Sequence, residues 1–190
     1  MAIFEKYHPL LSRHYTLDWL TAAKLKDVFA LRQDATQAAL SGRERDDTIT
    51  ATARYVNHAM RLVMANQALL YGISDRRSQT FVGSVCLWQF DKAHTQAQLR
   101  LETAPGQDPV ALYAEIIPRI VGFAFFELGL DTIYTLVPAT ATTRRQWLET
   151  NYFTATPYAH TRTLADGRKV PLLRLTLEKA AVSNDPQYRF

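Results

Sequence analysis

QAQLRLETAPGQDPVALYAE, residues 96–115, changes period in its middle. Over 96–102 apolar and polar residues alternate: Ala97, Leu99 and Leu101 fall on one face, Gln98 and Arg100 on the other, which predicts a strand. From Asp108 the pattern is that of a helix start, with Asp as N-cap and Pro109 at the first helical position. The loop between them holds one glycine, Gly106. A strand running through a short loop into a helix N-terminus presents free backbone N–H groups where the helix dipole favours an anion. Here Pro109 has no N–H, and the Asp108 carboxylate is placed to accept from Val110 or Ala111. The stretch has the shape of a phosphate cradle and supplies its own anion.

Working outward, RHYTLDWL (13–20) reads as a strand, with Thr21 as N-cap of a helix over AAKLKDVFALRQ that turns Leu25, Val28 and Phe29 inward. SGRERDD (41–47) is turn-like. TATARYVNHAMRLVMAN predicts a second helix with Val56, Ala59, Met60 and Val63 on one face. ALLYGIS (68–74), TFVGSVCLWQF (80–90) and QAQLRLE then have hairpin-length connections, so an antiparallel meander is expected. The segment 109–129 is apolar around most of its circumference. Glu115 and Arg119 form its polar stripe, Pro118 is expected to kink it, and Gly129 to end it. TIYTLVP (132–138) is a strand and 141–151 a short helix. Two last strands are joined by Asp166-Gly167, a hairpin-turn signal. The tail, 179–190, has no period and reads as mobile or as a dimer element.

The whole 190 residues read as one domain, long enough to bury roughly 70% of the unfolded surface. A net charge of +4 comes from scattered pairs such as Arg76-Arg77 and Arg144-Arg145, not the clustered bases a nucleic-acid surface needs. No apolar run reaches the ~18 residues of a membrane span. The N-terminus lacks the marks of a signal peptide, so a cytoplasmic protein is expected. The single Cys86 excludes an internal disulfide, and the five histidines show no ligand spacing, so no metal site is expected.

The order β-α-α-β-β-β-α-β-α-β-β resembles the GNAT N-acetyltransferases, and among them the ribosomal-protein N-terminal (alanine/serine) acetyltransferases. The phrases that carry it are YTLDWLTAAKLKDVFALRQDA, FVGSVCLW, QLRLETAPGQDPVALYAE, VGFAFFELGLDTIYTLV and RRQWLETNYF, over about residues 13–178. Glu115 and Pro105 also stand where the family has them. The resemblance implies an α/β (α+β) fold: a mixed, mainly antiparallel sheet, splayed between the fourth and fifth strands and flanked by about four helices. It implies acetyl-CoA as co-substrate and an amine acceptor, a protein N-terminus or a small amine. The cofactor positions it points to are Leu101, Thr103, Asp108, Pro109, Val110, Ala111, Arg144 and Arg145. Several depart from the family. Its Gly-x-Gly falls on Pro109, Val110 and Ala111, its helix Asn and Ser on Ala141 and Arg144, and a later Gly on Tyr152. Weak acetyl-CoA binding follows.

For catalysis two residues stand out. Glu102 ends the fourth strand, as a base near the acceptor or a merely solvated carboxylate. Tyr152 is a proton donor to the leaving thiolate or a packed ring. Gln98 is neutral and cannot act as a base at pH 7. Cys86, mid-strand in an apolar run, reads as a buried inert thiol. Two functions stay open: an acetyl-CoA-dependent N-acetyltransferase working by direct transfer, or a catalytically silent protein of the same fold that binds a partner or another small ligand.

Overall fold

The computed structural model describes residues 3–190. Its elements run β1 (Leu10–Leu11), β2 (Tyr15–Trp19), α1 (Leu25–Arg32), α2 (Ala35–Ser41), α3 (Ile49–Met64), β3 (Leu69–Asp75), β4 (Phe81–Trp88) and β5 (Gln96–Thr103). Then come α4 (Pro109–Gly122), β6 (Thr132–Pro138), α5 (Thr142–Thr150), β7 (Thr154–Thr163), β8 (Lys169–Glu178) and α6 (Lys179–Val182). One eight-stranded sheet has the order β1-β2-β3-β4-β5-β6-β8-β7. Every pairing is antiparallel except β5 with β6.

That parallel pair is short. Gln96, Ala97 and Gln98 pair with Thr132, Ile133 and Tyr134, and there the ladder stops. β5 runs on to Thr103 and β6 to Pro138 with no further pairing between them, so the two strands part into a V. The expected splay is present.

Alternation on β5 sends its side chains to two helical layers. On one face the Thr103 hydroxyl bonds Tyr113 of α4. On the other, Arg100 donates to Tyr55 of α3 and Glu102 accepts from Arg43. α4 and the π turn that follows it are deeply buried: Ile116, Ile117, Ile120 and Val121 of the helix, and Phe123, Ala124 and Phe125 of the turn, are all in the core. By length and composition Pro109–Glu127 would suffice to cross a membrane, with a mean hydropathy of 1.5, contrary to the expectation of no such run, but its apolar surface is spent on the core. Gly83 on β4 permits a close strand approach, since a Cβ there would stand 2.3 Å from the Glu102 carbonyl oxygen.

Several local expectations change. Thr21 caps nothing; it lies inside a 3-10 turn, Leu20–Ala22, that buries Leu20, and α1 starts only at Leu25. Leu25 itself is exposed, while Val28 and Leu31 face the core. α2 is an additional helix, capped by Asp34, whose carboxylate accepts from Gln37 N–H, and closed by Gly42 at φ 67°. α4 continues unbroken through the buried Pro118. Its irregularity comes later, as a π turn at Phe123–Glu127, where Leu128 N–H donates to the Phe123 carbonyl at 3.0 Å. The tail packs back on the domain. Val182 and Tyr188 are buried, and Tyr188 Oη donates to Asn151 Oδ1 at 2.8 Å.

Candidate functional site

The mouth of the V opens into a cleft of about 510 Å³. Its walls come from the three segments that the parting of β5 and β6 brings together. The loop 104–107 and the start of α4 form one side, the start of α5 the second, and α2 the third. Thr103, Pro109, Tyr113, Arg144 and Gln37 converge there. Thr103 Oγ1 donates to Tyr113 Oη at 2.8 Å, and Gln37 Oε1 accepts from Thr103 N–H at 3.2 Å. Burial raises the Tyr113 hydroxyl above its ordinary range while Arg144 pulls the other way, so this phenol stays neutral. Trp147 packs edge-on against Tyr113, at 5.1 Å between centroids.

Gly106, at φ 79° with open space where a Cβ would be, leaves the loop backbone bare toward an incoming group. α5 begins at Thr142 with no side chain capping it, so its first N–H groups also stay available. At α4 the Asp108 carboxylate accepts from Val110 N–H at 2.9 Å, as the sequence implied. A phosphate-bearing ligand thus fits the cleft through Gly106, α5 and Arg144, and fits the α4 end poorly.

The remaining expected site residues divide. Leu101 is buried on β5. Val110 is exposed, while Asp108 and Ala111 line a separate hollow of about 280 Å³ beside Tyr15 and Asp75. Arg145 points away from the cleft and pairs with Glu149 at 2.7 Å. Tyr152 lies past the far end of α5, exposed, and its hydroxyl bonds Asp185 of the tail at 3.0 Å. It does not face the cleft. Its φ of 67° keeps the left-handed backbone that suits the glycine the resemblance places there.

Glu102 is neither solvated nor a free base. It is 3% exposed and meets Arg43 in two parallel bonds, Nε to Oε1 at 2.7 Å and Nη2 to Oε2 at 2.9 Å. Burial alone would raise this carboxyl, but Arg43, and then Arg100, outweigh it and hold it below the usual carboxylate range. A carboxylate held this way is a poor proton acceptor at neutral pH. Cys86 is inert as expected, its thiol pushed up to about 11 by burial.

Sequence reasoning missed Gln37, Tyr113 and Arg43 as site residues, while Trp147, which by sequence reads as a core or pocket-wall ring, stands in the cleft wall. For α2 a signal was present: Asp34, then Gln37 three residues later, then Gly42 is a helix written in capping residues. For Arg43 there was none, because its partner is 59 positions away.

No protein-family model and no curated protein matches the chain in sequence. Solved structures do match in shape. Spermidine N-acetyltransferase from Vibrio cholerae, in complex with CoA and spermine, superposes with a TM-score of 0.79 at 17% identity, over 90% of this chain and 99% of that one. An inferred ribosomal-protein-serine acetyltransferase from Vibrio cholerae gives 0.71 at 16%, over 90% and 97%. This chain has the GNAT fold. At these identities the likeness extends to the fold, and the site must speak for the chemistry. In GNAT-fold terms, the parted β5 and β6 and the loop leading into α4 are in place. The carboxylate at the end of β5 is locked, and α2 stands against the opening.

Proposed function

We propose that this protein is an acetyl-CoA-dependent N-acetyltransferase that acts on a primary amine, a small amine or a protein N-terminus, by direct transfer. The observation that carries it is the V between β5 and β6, opening into the cleft of about 510 Å³ with bare loop backbone at Gly106. A strand that parts from its neighbour leaves unpaired N–H and C=O groups, and an extended ligand can complete the ladder there.

An acetyl thioester supplies an activated acyl carbon from which an amine nitrogen displaces the thiolate. The chain's part is to bind and orient. Thr103 and Tyr113 fix the V's inner wall, Gly106 and the start of α5 offer backbone donors, and Arg144 contributes charge. Among the described residues no side chain at the cleft is placed as a free base: the Asp34 carboxylate caps α2, and Glu102, behind the strand, is tied to Arg43. The amine therefore arrives already deprotonated, and the rate follows the amine's own ionisation. An acyl-enzyme is not used: Cys86 is buried and protonated.

The test is calorimetric titration with acetyl-CoA, followed by thiol release in the presence of a panel of primary amines. Binding together with amine-dependent thiol release, rising with pH along the amine's titration, is the expected result. The alternative, a silent GNAT fold that binds a partner or another small ligand, is favoured by Pro109, which has no N–H, and by Asp108, which already occupies Val110 N–H. Absence of acetyl-CoA binding at millimolar concentration would establish that reading instead.

A further inference from the structure

The cleft lies at the mouth of the V; the apex is Gln98, the last residue of β5 to pair with β6. Alternation puts the Gln98 side chain on the face of β5 that carries Arg100 and Glu102, the face toward α3. Trp88 of β4 and Tyr134 of β6 are its partners to either side, so the three side chains stand in a row on that face. From β6 outward the two faces of the sheet differ. Ile133, Val137, Leu175 and Leu177 are buried on the α4 face, whereas Tyr134, Leu136, Arg174 and Thr176 on the other are only half-buried.

The row is rich in hydrogen-bond donors and short of acceptors. Gln98 is 7% exposed, and its side-chain amide has no partner among the described residues. The Trp88 Nε1–H is buried and likewise unpartnered; an indole nitrogen only donates. A guanidinium stands on each side of Gln98 along β5. On one side the Arg100 guanidinium lies 5.4 Å from the Trp88 ring centroid and donates to Tyr55 Oη at 3.3 Å. On the other, Arg174 of β8 crosses β6 over the Tyr134 ring, at 3.9 Å, and donates to Gln96 Oε1 at 3.1 Å. Gln96 and Gln98 lie two residues apart on one strand face, roughly 7 Å. The carboxylate on this face of β5, Glu102, holds Arg43 in two bonds and is also Arg100's nearest acid, at 3.8 Å. Arg174 meets no carboxylate among the described residues. Buried donors without an acceptor, next to uncompensated cations, favour a group that brings acceptor oxygens and negative charge.

We propose that this row at the apex of the V is an acceptor subsite that selects a small amine carrying its own carboxylate, an amino-acid-like acceptor, over a polyamine. The carboxylate takes the free donors of Arg174 and Gln98, and a planar guanidinium matches its two oxygens. The amine end then lies at the apex, from which the V leads to the cleft. A diamine of the same length brings a second cation to the same place, where no unpaired acid relieves the repulsion. Naming the amine as an acetyl acceptor rests on the acetyltransferase reading; the carboxylate subsite does not.

The probes are β-alanine, propanediamine and propylamine, matched in length and ending in a carboxylate, an ammonium or a methyl group, with glycine, ethanediamine and ethylamine as the shorter set. Thiol release from acetyl-CoA gives kcat/KM for each, and calorimetry without acetyl-CoA reads the subsite alone. Both are run on the native chain, Arg174→Gln, Arg174→Lys and Gln98→Leu, each checked by thermal melting. The native chain should prefer the amino acid to its matched diamine by about tenfold or more in kcat/KM, the difference lying in KM. Arg174→Gln should bring that ratio close to one, and Arg174→Lys should keep part of it. Should Arg174→Gln fail to fold, Gln98→Leu, expected to lower the same ratio, decides. Binding of an amino acid that depends on Arg174, without thiol release, would uphold the subsite and sink the acetyltransferase reading. Thiol release that favours the diamines, or a ratio unchanged in Arg174→Gln and Gln98→Leu, would overturn the subsite and leave that reading standing. Neither binding nor thiol release with either amino acid would also overturn the subsite.

Discussion

Arg43 and Glu102, 59 residues apart in sequence, are joined by two parallel hydrogen bonds, with side chains 6% and 4% exposed. Arg43 also donates through Nη1 and Nη2 to the carbonyls of Arg32 and Leu31, at the end of α1. The pair thus ties the segment after α2 to β5 and α1. Breaking a buried pair by removing one partner leaves an uncompensated charge. Arg43→Met is expected to lower stability by about 3–5 kcal/mol, while Arg43→Met with Glu102→Met regains most of the loss. Denaturant unfolding of the single and double variants measures this. A double variant no more stable than the single one would show that the pair's worth lies in something other than charge compensation.

The same pair sets an acid limit. Glu102 and Asp46, the latter bonded to Arg32 and Thr52, are held below the ordinary carboxylate range by their arginine partners against the opposing effect of burial. Carboxyls depressed in the folded state contribute stability that is fully present above their unfolded pKa and is lost as pH falls through the folded one. The melting temperature should therefore be level near neutrality and drop in acid, below the usual carboxylate range. The drop should be shallower in the Arg43→Met, Glu102→Met double variant. An equal acid slope in both would mean that other groups carry the dependence.

Gly122, near the end of α4, would place a Cβ 2.2 Å from the carbonyl oxygen of Tyr188 in the tail. Gly122→Ala should push the tail off and expose the buried Tyr188, speeding limited proteolysis after residue 182 while the sheet persists. Ile117→Ala, a fully buried site on the same helix, should instead cost about 2–5 kcal/mol of global stability. Equal proteolysis of Gly122→Ala and native protein would show that the tail leaves and returns freely.

At the start of α4 the expectation concerns affinity. With Asp108 on Val110 N–H and no donor at Pro109, native CoA binding should be weak, at high-micromolar Kd or worse, about −5 kcal/mol. Asp108→Gly with Pro109→Gly removes an anion and restores a donor, and should tighten CoA binding at least about tenfold while costing about 1 kcal/mol of stability for the lost cap. Calorimetry on the double variant reads this directly. Unchanged affinity would mean that the α4 end takes no part even when its donors are freed.

Much of the fold was legible because it rests on local patterns. The meander over 68–102, the β5 alternation, the Asp108-Pro109 helix start and the Asp166-Gly167 turn each follow from backbone chemistry within a few residues. The order of those elements led to the splayed sheet, which the pairing of β5 and β6 over three residues then displayed. The α2 helix was not read, although Asp34, Gln37 and Gly42 carried its capping signal.

What only the tertiary structure decided is which side chains are neighbours. By sequence Glu102 was a strand-end carboxylate near the acceptor; in the fold a guanidinium from position 43 takes both its oxygens. Tyr152 stood one residue from the end of a helix that begins at the cleft. A nine-residue helix spans roughly 14 Å, which puts the ring at the opposite end, on the tail. The sequence by itself determined most of the helices and strands and the Asp108-Pro109 and Asp166-Gly167 loop signals, because those depend on adjacent residues. Pairing, burial and charge compensation depend on where β5 and β6 part and what α2, α4 and α5 bring to the opening, and that is a property of the folded chain.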